Sequence, residues 1–310
     1  MLWHQRISAL AHVLASLPSI VLAGMLVARL GGLMGSWGMV VLLGVWLLSG
    51  VPVLLFFLAV ESGRPDVREP EWTPAQASRL VPAWRDVVEA AGVCADDYVV
   101  LIDKSKKVSG YARDGWTIGV TSGAVRNLRR PQLSALLAHE LGHLFSSHRS
   151  SIRIAALWYA APLYLPALLV SLIVAMPTAV LDSGVLSKLC EFVATVAHLA
   201  TTAGVLILLL GTRHALVAAA LLAAQVLAKQ MIRRRNERKA DLVAVDLGFG
   251  AGLAALLRED GREPCFHPAE LPWVERLSRF VFGPLSTHPS TRRRIRTIES
   301  RMRARGEPTV

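Results

Sequence analysis

The stretch LLAHELGHLFSSH, from Leu136 to His148, sets two histidines four residues apart around a glutamate. On a helix advancing about 100° per residue, His143 falls about 40° from His139, while Leu133, Leu137, Leu141 and Leu144 fall at about 120–200°. The pattern predicts an amphipathic helix with both imidazoles on one side and the leucines on the other. Pro131 suits its first turn, where a missing N–H breaks no bond. Ala135 and Gly142 are expected to leave room around the imidazoles. Glu140 points about 100° away from His139, which places it to take a proton from a water rather than to ligate. A chance match inside a helix is the competing reading.

Two imidazoles at i and i+4 can reach one zinc ion. A catalytic zinc takes three protein ligands and keeps one position open, so a third ligand is needed. Downstream stands RRRNERKADLVAVD, Arg233 to Asp246, in which Glu237 and Asp241 are four apart and share a helical face. A charge-rich stretch is often a solvated helix with i, i+4 pairs. Here Leu242, Val243, Ala244 and Val245 follow directly, so the helix is expected to be partly buried, and buried carboxylates need partners or a metal.

The surroundings are apolar. The 310-residue chain is 53% hydrophobic and 18% charged, with a mean hydropathy of +0.44 and a net charge of +11. Four stretches meet the ~20 residues needed to cross a bilayer: Ile7–Ala28, Gly31–Val60, Ile154–Leu181 and Phe192–Thr212. Met1–Arg6 resembles the start of a signal peptide, but the first apolar stretch exceeds an h-region of ~7–15 residues and lacks a small-residue cleavage site. It is expected to be a retained span. Of the 34 Lys and Arg, residues 61–153 hold 13 and residues 213–310 hold 18. Cytoplasmic flanks carry that excess, so both segments and the N-terminus are expected to face the cytoplasm. His214–Ala228 is a further apolar run, read as an extension of the fourth span or an interfacial helix.

The basic excess fits a membrane-facing surface better than nucleic acid, because no base-stacking aromatic module accompanies it. Cys94, Cys190 and Cys265 are too dispersed for a disulfide framework or a cysteine zinc site. Within the polar parts, Pro82–Ala91 is expected to be helical. Tyr98–Asp103 and Trp116–Thr121 (WTIGVT) are expected to be strands, the second after an Asp114-Gly115 turn.

HELGH at 139–143, E-x-x-A-D at 237–241 and THPS at 287–290 before a basic helix occur in that order. Together with the arrangement of spans, they resemble the HtpX-like and CAAX-prenyl-protease-like family of membrane zinc metallopeptidases. The resemblance implies a mainly α, multi-pass membrane protein of about four transmembrane helices, with a cytoplasmic α+β zincin-like catalytic domain containing a small sheet. Residues 1–60 would supply two spans and 61–153 the first catalytic part, with an edge strand and the HExxH helix. Residues 154–231 would form a transmembrane hairpin and extension, and 232–310 the second catalytic part.

The resemblance further implies one zinc per chain on His139, His143 and Glu237, with Glu140 as general base. Asp241 would orient a ligand histidine, and His288 would stand near the oxyanion. His148 is either functional or a polar residue at a helix end. WTIGVT resembles the family's edge strand, to which an extended polypeptide could add. Relatives often carry Asn-Ala upstream of that strand, where this chain has Ser109-Gly110-Tyr111-Ala112. The expected activity is endopeptidase cleavage of membrane or misfolded proteins at the cytoplasmic face of a bacterial plasma membrane, with polypeptide and lipid bilayer as partners and no nucleic acid. A sensor-type membrane metallopeptidase cutting one partner, and a non-catalytic protein with a degenerate site, are the alternatives.

Overall fold

Two apolar helices, α1 (Leu2–Gly32) and α2 (Ser36–Ser62), begin the chain in the computed structural model, which describes residues 2–62, 72–113, 115–146, 150–175, 184–260 and 291–308. Within them, Leu10–Gly32 and Ser36–Ala59 are long and apolar enough to cross a membrane. Only 6% of the apolar window in α2 is buried inside the protein. The described residues are mostly helical, and three of their helices, the third within Val193–Asp246, are long and apolar enough to cross a membrane, which is consistent with a membrane protein.

α6 (Ser150–Ala175) has a described apolar core of Ile154–Val170, shorter than the expected third span, whose end at Leu181 lies outside the described residues. α7 (Gly184–Asp246) spans 63 residues as two helical segments joined at Gly211, where φ 72° and ψ 163° break the helical path. The glycine matters here because L side chains rarely adopt that φ. The apolar run at 214–228 therefore lies in the second segment, beyond the kink. It packs into the bundle, burying Ala215, Ala218 and Gln225.

Gln225 ties three helices together. Its Oε1 accepts from the Ser19 backbone N–H at 3.1 Å, and its Nε2 lies 3.4 Å from Tyr164 Oη on α6. Pro18 disturbs the ladder of α1 just before that N–H, and a backbone donor in an apolar bundle must find a partner. His12 and Ser16 of α1 share one cleft with Lys229 and Arg233, while Met25 and Arg29 lie beside Leu210 and His214. The later half of α7 thus runs antiparallel to α1 and delivers its charged end, from Lys229 onward, to the polar part of the molecule.

That polar part has its own core. α3 (Pro74–Ala91) starts earlier than the sequence pattern suggested, because Thr73 and Gln76 form a reciprocal capping box ahead of Pro74. It buries Leu80, Ala83, Trp84, Val87 and Val88 and stops at Gly92, which adopts φ 62°. Arg130 holds Asp86 of α3 to the start of α5 (Arg130–Ser146) with two hydrogen bonds of 2.6 and 2.9 Å.

Among the described residues the sheet has three strands, β1 (Val99–Asp103), β2 (Gly110–Arg113) and β3 (Thr117–Thr121), in the order β1-β3-β2. β3 pairs parallel with β1 and antiparallel with β2. The expectation that WTIGVT forms the edge is corrected: β3 is central and all five of its residues are buried. The edge beside α5 is β2, a four-residue strand lying between the two that the pattern revealed. Thr121 caps the short α4 (Ser122–Asn127) by accepting from Ala124 N–H. α8 (Gly250–Asp260) and α9 (Thr291–Ala304) close the core over α5 and α7 with Leu253, Leu257, Ile298 and Met302.

Candidate metal centre

α5 is buried on both of its faces. The leucine side joins the core, and the histidine side meets α7 rather than solvent, leaving His139 and Glu140 only 6% and 5% exposed. Ala135 and Gly142, expected to leave room around the imidazoles, serve helix contact instead. Ala135 meets Gly252 of α8, and Gly142 meets the backbone of Ala240 on α7. That second contact brings residues a hundred positions apart in sequence into one site.

His139 Nε2 and His143 Nε2 lie 3.1 Å apart, with the rings edge to face at 87°. Glu237 Oε1 is 3.5 Å from His143 Nε2, and its Oε2 is 3.9 Å from His139 Nε2. These three residues form a group that could hold a metal ion. Two donors at about 2.0–2.1 Å on a tetrahedral zinc stand about 3.3 Å from each other, so the imidazole pair already has the right spacing, and two nitrogens plus a carboxylate are a zinc-type donor set. Burial, and then the neighbouring His139, push the His143 pKa down to about 4. The imidazole is therefore neutral at ordinary pH, with its lone pair available.

Behind the histidines stands a charged brace. Asp241 is fully buried and places Oδ1 3.0 Å from His139 Nδ1. The separation is that of a hydrogen bond, although the Nδ1–H direction is bent away from the ideal line. Arg294 of α9 donates to both oxygens of Asp241, at 2.6 and 2.9 Å, and its Nη1 lies 3.8 Å from Glu237 Oε2. Burial opposes the Arg294 charge, but the bonds to Asp241 outweigh it and raise its pKa. A carboxylate behind a histidine fixes the tautomer that leaves Nε2 free to ligate.

Glu140 stands outside the converging group but lines the same cleft, which has a volume of about 1450 Å³. Its side chain lies against Gly110 on β2, where an added Cβ would stand 2.9 Å from Glu140 Cγ and Oε1. The edge strand, Glu140 and the donor group therefore share one cavity, together with His12 and Ser16 of α1 and Ile152 and Ala156 of α6.

Of the residues singled out from the sequence, His139, Glu140, His143, Glu237 and Asp241 come together. His148 and His288 lie outside the described residues. Arg294 and Gly110 were missed. Arg294 sits in a basic run that reads as a solvated face, yet Arg294, Ile298 and Met302 recur at four-residue spacing, and the latter two are buried. That spacing marks the inward stripe of α9. Gly110 left no such signal, because β2 is short and its pairing is not local.

Comparison with curated proteins and with solved structures returns no match. The model of Peptidase family M48 matches residues 74–302, from the start of α3 into α9. The matched span contains both halves of the donor group and the strand beside Glu140, and it exceeds half of the chain. The chain belongs to Peptidase family M48, and by that membership it is a metallopeptidase.

Proposed function

We propose that this protein is a membrane-embedded, zinc-dependent endopeptidase that cleaves membrane or misfolded proteins at the cytoplasmic face of a bacterial cell membrane. The observation that carries the proposal is the convergence of His139, His143 and Glu237 in a cleft bordered by apolar helices and by β2, whose outer edge is unpaired among the described residues. The placement of Lys and Arg around the spans supports the cytoplasmic side.

His139, His143 and Glu237 would hold the zinc. When bound, zinc supplies Lewis-acid charge that polarises a scissile carbonyl and acidifies water. Glu140 takes the proton of the attacking water and returns it to the leaving amine. Asp241, braced by Arg294, keeps the His139 ring oriented. The outer edge of β2, at Gly110–Ala112, offers backbone groups along which an extended substrate can pair. His288 is assigned the oxyanion contact by the order of motifs alone.

The test is metal analysis and casein cleavage by wild type, Glu140→Gln and Glu237→Ala, each purified in detergent. Glu140→Gln should keep one zinc and lose cleavage by about 10²–10⁴-fold, the range for a general base. Glu237→Ala should lose zinc and activity together. Full activity in Glu140→Gln, or zinc-free wild-type protein after zinc loading, would sink the proposal.

A further inference from the structure

The later half of α7 carries charged residues at every fourth position: Lys229, Arg233, Glu237 and Asp241. On a helix these form one slowly turning stripe, with about 6 Å between successive members along the axis. Glu237 and Asp241 belong to the donor group and its brace. Lys229 and Arg233 precede them on the side toward the membrane helices and line the same cleft, opposite His12 and Ser16 of α1. Lys229 is partly buried, and neither cation has an acidic partner among the described residues. Two like charges one turn apart repel, so an anion between them would relieve the repulsion.

The rest of the cleft wall has the same character. Lys106 and Lys107, in the loop before β2, also lack acidic partners among the described residues. The acids lining the cleft are otherwise placed: Glu237 belongs to the donor group, Glu140 lies against Gly110, and Glu259 accepts from Gln132 at 2.9 Å. Among the described residues, positive charge without acidic partners therefore extends from the Lys229 end of the cleft across to the edge strand. A single lipid headgroup at the bilayer surface would meet only the membrane end. An extended peptide lying along β2 would meet the whole of it.

We propose that Lys229 and Arg233 form an anion subsite that selects peptide substrates carrying aspartate or glutamate near the scissile bond. The pair stands about 6 and 12 Å before Glu237 along α7, and an extended chain advances about 3.3 Å per residue. The recognised carboxylate therefore lies two to four residues from the bond that is cut. This assignment rests on the peptidase function proposed above.

The test offers the zinc-loaded full-length protein, in neutral detergent without phospholipid, a peptide library from a digested cell extract. Cut sites are read by mass spectrometry. Asp and Glu should exceed Asn and Gln two to four residues from the cut, on one side, by about two- to fivefold, as a partly exposed ion pair allows. Lys229→Gln/Arg233→Gln should lose this enrichment while keeping its zinc. Should that variant lose zinc, wild type decides alone. Raising salt from about 0.01 to about 1 M shortens the screening length from ~30 to ~3 Å and should abolish the enrichment.

Enrichment that is absent in wild type, survives in the zinc-bound variant, or ignores salt overturns the subsite. So does a variant whose only defect is weaker association with phosphatidylglycerol nanodiscs, which would make the pair a lipid contact. A wild-type protein that binds zinc but cuts no peptide overturns the peptidase function, and the subsite with it.

Discussion

Substituting Gly142 separates two properties that a motif substitution would confound. An alanine Cβ there would stand 2.9 Å from Ala240 Cα, 3.0 Å from Ala240 O and 3.1 Å from Val243 Cβ. The first two are backbone atoms of α7 and cannot rotate away. Carbon contacts relax at about 3.5–4.0 Å, so α7 must retreat by roughly 0.5–1 Å at Ala240. Ala240 lies between Glu237 and Asp241, so the donor carboxylate and the brace on His139 move with it. Metal sites tolerate ligand-distance errors of only about 0.2 Å.

Overpacking costs about 1–3 kcal/mol, and alanine in place of glycine inside a helix returns about 0.8–1 kcal/mol. Metal-free Gly142→Ala should thus be destabilised by at most about 2 kcal/mol, read as a small drop in melting temperature in detergent with chelator present. Zinc affinity should fall by about 10- to 100-fold, the scale seen when a ligand's supporting contacts are lost, in a competition titration against a chromophoric chelator. Unchanged zinc affinity would refute the claim that close approach of α5 and α7 builds the donor group.

Asp241→Asn should weaken zinc binding by about 10- to 100-fold and destabilise the protein by about 3–5 kcal/mol, because Arg294 loses its buried partner; wild-type values for both would remove Asp241 from the site. Gly110→Ala should push the Glu140 carboxylate aside, cutting kcat by about 10- to 100-fold through misplacement while zinc content stays at the wild-type level, and an undiminished kcat would show that the contact is incidental. The metal-free protein should lose stability as pH falls from 6.5 to about 4. His143 has its pKa lowered to about 4 in the folded state, so over that window the unfolded chain takes up the proton first. The loss is at most about 3–4 kcal/mol and is complete below the folded pKa. Chelated His143→Gln protein should show a correspondingly flatter dependence of melting temperature on pH, and an identical slope would contradict the assignment.

What the sequence made legible follows from the range over which each interaction acts. The pairs His139–His143 and Glu237–Asp241 are readable because helical periodicity is local, and four-residue spacing alone puts each pair on one face. The apolar stretches are readable because a bilayer demands length and composition and little else. The meeting of the pairs is not local. It depends on Gly142 and Ala240 letting two helices touch, and a glycine inside a helix motif reads the same whether or not another backbone lies against it. β2 stayed hidden because four residues, one of them glycine, carry no period, while the edge position expected of WTIGVT came from the family resemblance and not from its residues.

The long helix α7 shows why one end of a site can be read while the other cannot. Lys229 and Arg233 end an apolar run, and basic residues in that position are what a membrane boundary ordinarily requires. Only the fold brings His12 of α1 and Lys106 of the β-loop around the same cavity and turns that boundary into a cleft wall. A helix leaving a bilayer must become polar within about one or two turns, and here those turns lead straight to Glu237. On the proposed function, the residues that would end the span stand where a substrate would pass. Charge placed for membrane orientation would act as substrate recognition without any further element, which is why Lys229 and Arg233 can be tested separately from the donor group.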